Sequence, residues 1–200
     1  MNRSHRSAGR DWILGGLFVA LALVLPIAFH ALGVGSVFLP MHIPVFLAGF
    51  FVSPLVATVV GFVSPLLSSV LTGMPPLSPP VAQSMVFELA VYGLVTALVY
   101  RASRRLYLSW AAAAVAGRLT AGLVGAFFLP LFGFKAVPLF YPLTAGLVTG
   151  LPGLVLQALF VPPVVYLLQR ATGRVGAARG AGGGGSVPKP DADPRGGVSG

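Results

Sequence analysis

Residues 40–88, PMHIPVFLAGFFVSPLVATVVGFVSPLLSSVLTGMPPLSPPVAQSMVFE, constrain this chain more than any other stretch. The run is apolar almost throughout, yet Pro44, Pro54, Pro65, Pro75-Pro76 and Pro79-Pro80 divide it. Proline lacks a backbone donor and disfavours helix in the residue before it, so these positions are boundaries or kinks rather than one uniform span. The pattern predicts a short helix over 41–52, a turn at Ser53-Pro54, a second helix over 55–71 and a proline-rich loop. A third helix follows and carries Glu88 inside an oily run. A short membrane hairpin, a proline loop and a buried acid together point to a pocket.

With 56% hydrophobic and only 8% charged residues, a water-soluble globular fold is excluded in favour of an integral membrane protein. There is no cysteine, which rules out disulfides, thiolate chemistry and cysteine-ligated metals. The net charge of +9 comes mainly from small arginine clusters between oily segments, a pattern of membrane orientation rather than of nucleic-acid binding.

The chain reads as an all-α membrane protein, a six-transmembrane-helix bundle. A polar segment (1–11) holds Arg3, Arg6 and Arg10; the membrane domain covers 12–169; the Gly-, Arg- and Pro-containing tail (170–200) has nothing to build a core and is expected to be disordered. The first span, 12–29, is long enough to cross the hydrocarbon, with Trp12 at the interface. A basic-then-oily opening also suits a cleaved signal peptide, but the run outlasts a typical signal core and more apolar segments follow. Later spans cover 81–100, 106–128 and 143–169, the last expected to be kinked or tilted by Pro152 and Pro162-Pro163. The positive-inside rule places both termini in the cytoplasm. Arg101, Arg104, Arg105, Arg170, Arg174 and Arg179 then join the first cluster inside, and the outer loops keep only Lys135. The long loops 30–41, 72–80 and 129–142 gather on the outer side, where binding usually sits.

Glu88 and Arg118 lie within spans, where a charge costs roughly 2.5–3.5 kcal/mol on insertion scales, so both should face protein or water. Counted from the outer helix ends they lie about 9 and about 15 Å deep, a difference an arginine side chain can bridge. They therefore read either as a salt bridge between two spans or as contacts for a polar ligand. Ser84 and Tyr92 lie four residues either way from Glu88 on its face. Gln157 can bond a ligand or join helices. His42, like His30, flanks the first loop, where a relay or metal role competes with an ordinary interfacial one. Phe132, Phe134, Phe140 and Tyr141 suit a stacking lid or a membrane aromatic belt. Gly117, Ala121 and Gly125 suit helix packing, as does the stripe Gly16, Ala20, Val24 and Ala28.

The chain contains no P-loop, no H-E-x-x-H and no G-x-S-x-G, nor two visible inverted halves. Uphill movement of a solute would draw its energy from partners.

The runs LPMHIPVFLAGFFVSPL, LLSSVLTGMPPL, FELAVYGLV, GRLTAGLVG and LPGLVLQALFVPPVV resemble the substrate-capture subunits, or S components, of energy-coupling factor (ECF) vitamin transporters. The likeness covers about 12–169, in the branch that includes riboflavin, folate and pantothenate carriers. It implies a prokaryotic plasma-membrane subunit that binds a micronutrient under loops one, three and five. Such a subunit docks on a transmembrane T component and two ATPases, and tilts to release its cargo inward. It implies no cofactor and no enzymatic activity. The family docks through Ala-x-x-x-Ala on its first helix, and Gly16 and Ala20 stand in that place here. Arg118 would suit an anionic cargo such as pantothenate; an Arg118 already neutralised by Glu88 would suit riboflavin or a pyrimidine. Two other classes remain open, a membrane enzyme working through His42 or Glu88 and a scaffold that binds no solute.

Overall fold

The computed structural model describes residues 2–31, 33, 40–78 and 81–171. It is helical. α1 (Asn2–Ala31), α2 (His42–Phe51), α3 (Pro54–Thr72), α4 (Val81–Ser103), α5 (Leu106–Leu123) and α6 (Ala145–Ala171) match the six expected helices. The chain divides into two compact units, Met1–Val165 and Tyr166–Gly200; of the second, only 166–171 are described. The expected tail, from 172 onward, and most of the first loop lie outside the described residues.

Five segments are long and apolar enough to cross a membrane, and α2 is the short exception. Its ten residues rise about 15 Å, half of a hydrocarbon layer of about 30 Å. α2 stops where proline requires it: Val52 and Ser53 are extended, and Pro54 opens α3 at a position that needs no amide hydrogen. α3 ends on Gly73, left-handed at φ 73°, whose N–H bonds Ser69. α1 begins ten residues earlier than the apolar run. Once the span has nucleated a helix, the proline-free segment before Trp12 extends it at little cost. α6 runs through Pro152, Pro162 and Pro163 without interruption.

α4 is the central helix. Its Gly93 lies against the Ala57 carbonyl, and Gly61 of α3 lies against the Leu89 carbonyl, so these two helices touch backbone to backbone. A Cβ at either glycine would occupy the partner's main chain. The core gathers Val45, Phe46, Val56, Val60, Leu89, Tyr92 and Ala113, with Leu154, Val161 and Val165 from α6.

The fifth inter-helix segment departs from a simple loop. α5 widens into a π turn (Val124–Phe128) and a 3-10 turn (Leu129–Phe132), after which the chain runs back along α5. Val137 N–H donates to the Gly125 carbonyl at 3.0 Å, and the Leu139 carbonyl packs on Gly122. Gly122 and Gly125 thus make room for a returning strand of chain, while Gly117 makes room for a ring of α4.

Contacts also fix which helix ends coincide. Ser53 meets Asp11 of α1, and Phe50 packs edge-on against Tyr100 of α4, so the basic segments around Arg10 and Arg101 share one end. At the opposite end, Phe87 near the start of α4 packs on Phe128.

Candidate binding cavity

Because α2 is tethered at the basic end and reaches only about halfway up, the half of its column away from that end is not filled by helix. A cavity of about 240 Å³ occupies that place. Pro26 and His30 of α1, Pro40, Met41 and His42 at the head of α2, Met74, Pro75 and Pro76 of the proline loop, and Val81 and Met85 of α4 line it.

The proline loop is held in position by the helix before it. Prolines cannot donate, so the loop is fixed through its carbonyls: Ser68 Oγ donates to Met74 O at 2.6 Å and Ser69 Oγ to Pro75 O at 2.7 Å. Gln83 Nε2 donates to Leu77 O at 3.1 Å and Ala82 N–H to Pro76 O at 3.1 Å. On the facing helix His30 Nδ1 lies 2.8 Å from Pro26 O. A carbonyl only accepts, so Nδ1 carries the proton and Nε2 of the neutral ring is left as an acceptor.

Beneath the cavity is a buried polar cluster. Tyr92 Oη donates to Glu88 Oε1 at 2.8 Å, and Arg118 Nη1 lies 3.4 Å from the same oxygen. The tyrosine ring is stacked on Phe46 at 4.8 Å, and Gly117 lies against its edge. The His42 ring meets that of Tyr92 at 5.4 Å. The sequence of contacts is therefore cavity, His42, Tyr92, Glu88, Arg118, with both charges inside the protein rather than toward lipid.

Of the candidate residues, His42 lines the cavity. Glu88, Tyr92 and Arg118 form the layer behind it, and Ser84 is half-buried on α4. Gln157 is fully buried on α6 between Leu154 and Val161, its Nε2 without a hydrogen-bond acceptor. Phe132, Phe140 and Tyr141 are exposed, and no residue of 129–142 is among those lining the cavity. His30, Pro40 and Met41 at the ends of the first loop and Met74, Pro75 and Pro76 of the third bound it; the fifth lies along α5. Gly16 and Ala20 are exposed on α1, and a Cβ on Gly16 would meet nothing within 4 Å. Sequence reasoning missed Met41, Met74 and Met85, although three of the chain's four methionines next to a proline-cut hairpin were a usable signal.

Compared with known families, residues 10–165 match the model of the ECF transporter substrate-specific component. The chain belongs to this family. It is an S component: a multi-pass membrane protein, a transporter subunit rather than an enzyme, that works with a substrate and an ECF energising module. Comparison with curated proteins found no match, and neither did comparison with solved structures.

Proposed function

We propose that this S component captures a small water-soluble vitamin or related micronutrient in the cavity above α2. Docking on a T component and two ATPases then delivers it inward across a prokaryotic plasma membrane. The observation that carries this reading is the cavity itself, bounded by the C-terminal end of α1, the N-terminal ends of α2 and α4 and a proline loop pinned through Ser68 and Ser69. It lies at the end of the bundle away from the arginine clusters. With basic segments cytoplasmic, that end faces outward and both termini lie inside.

His42 and Met85 are the side chains we assign to the cargo. Glu88, Tyr92 and Arg118 act one layer back, holding the ring on which His42 rests; Ser84 and Gln157 are further polar contacts for a cargo that reaches deeper. The small exposed face Gly16 and Ala20 is assigned to the T component, since a helix can approach closely there. The membrane part is 12–169, with 1–11 and 170–200 cytoplasmic. The cargo is expected from the riboflavin, folate or pantothenate classes.

The test is to purify the protein in detergent from cells grown in rich medium, denature it and identify the released small molecule by mass spectrometry. A stoichiometric micronutrient is expected. Preparations that release nothing, and bind no member of a vitamin panel, would overturn the capture role.

A further inference from the structure

We propose that the cargo is an uncharged, flat heteroaromatic system of one to three fused cycles, and that the cavity discriminates against carboxylates. This rests on the capture reading above and narrows it. Lining residues are three methionines, four prolines, one valine and two histidines, with no lysine, arginine, aspartate or glutamate. The stretches 30–41 and 72–80, which supply His30, Pro40, Met41, Met74, Pro75 and Pro76 to the lining, contain no such residue anywhere in their sequence. Arg118, the cation nearest in the contact sequence, is committed to Glu88 at 3.4 Å and lies behind Tyr92. Lys135 is exposed on the segment that runs along α5. A carboxylate in this cavity would lose its hydration without gaining a cation, and burying a charge unpaired is prohibitive.

Shape and polarizability give the rest. Met41, Met74 and Met85 surround one space, and thioether sulfur makes favourable contacts with aromatic rings. Proline faces on the other sides are flat and rigid. His30, with Nε2 as acceptor, can take a ring N–H of a heterocycle without adding a fixed charge. The volume of about 240 Å³ lies just below the roughly 300–1,000 Å³ usual for ligand pockets, which favours a compact ring system over an extended conjugate. The same thioethers and imidazoles are also soft donors for Cu(I), and the test separates the two.

The purified protein is titrated by calorimetry with matched pairs differing in charge: nicotinamide against nicotinate, uracil against 6-carboxyuracil, and lumichrome against its 7-carboxy analogue. Cu(I) is offered separately in competition with a chromophoric chelator. The neutral member of at least one pair should bind tenfold or more tightly than its carboxylate, and Met85→Ala should weaken it at least fivefold with thermal unfolding retained. Equal or tighter binding of the carboxylates, millimolar or weaker binding of every neutral ring, or Cu(I) held against the chelator in place of the rings would each overturn the inference. Should the wild-type protein release an anionic vitamin on denaturation, capture stands and the neutral-ring assignment falls. If nothing is released and nothing binds, both fall.

Discussion

The backbone N–H of Ser53 donates to Asp11 Oδ2 at 2.8 Å, joining positions forty-two residues apart. The bond ties the α2–α3 turn to the basic end of α1. A helix of ten residues anchored there cannot reach the other face, so the vacant half of its column lies at the end away from the arginine clusters. A charge-assisted bond of this kind contributes about 1.5–3 kcal/mol. Asp11→Ala is expected to lower stability by about that amount, and Asp11→Asn, which keeps an acceptor, by less. Thermal unfolding in detergent measures both; an Asp11→Ala protein as stable as wild type would mean the turn is held by packing alone.

Arg118→Ala leaves Glu88 buried with only Tyr92 as partner, and breaking a buried pair costs about 3–5 kcal/mol. Replacing both partners, Glu88→Gln with Arg118→Met, should recover most of that loss, since neither charge then remains. Chemical or thermal unfolding of the wild type, Glu88→Gln, Arg118→Met and the double variant gives the coupling. If the single and double variants lose the same stability, the two side chains do not act as a pair.

Gly117 has a more local job. A Cβ there would meet the Tyr92 ring, which cannot withdraw because Phe46 is stacked on it at 4.8 Å. Gly117→Ala is expected to cost about 1–3 kcal/mol of stability through overpacking. It should also weaken cargo binding several-fold, because the displaced ring carries His42. Binding and unfolding measured on the same preparation distinguish this from a change in stability alone.

The exposed face of α1 supplies an independent prediction. Gly16→Leu and Ala20→Leu should reduce co-purification with the T component at least tenfold while cargo affinity stays within twofold, because neither residue is in the bundle core. The neighbouring Gly15 is different: it is buried with Val56 at 2.6 Å from a Cβ position, so Gly15→Ala should affect stability instead.

Much of this architecture was legible because it is written in local chemistry. Ser53-Pro54 terminates α2 for reasons that depend on its own backbone, and does so where expected. The depths of Glu88 and Arg118 followed from helix rise, and the two side chains meet accordingly. What could not be read was where tertiary packing decides. The brevity of α2 was visible, but the open space above it depends on the tether at Asp11 and on serines of α3 reaching forward to loop carbonyls. The last long loop looked like a cover because of its phenylalanines. Its path instead follows Gly122 and Gly125, which present as ordinary helix-packing glycines until the chain folds back on them.

If cargo occupies the cavity over α2, occupancy in a filled variant shows it most directly. Met85→Trp places an indole among the lining residues, whereas Leu108→Trp adds the same group on an exposed face of α5. Small molecule released on denaturation should fall at least tenfold in Met85→Trp and remain at the wild-type level in Leu108→Trp, with both proteins folded by thermal unfolding. Undiminished occupancy in Met85→Trp would contradict the assignment and place the cargo elsewhere in the bundle.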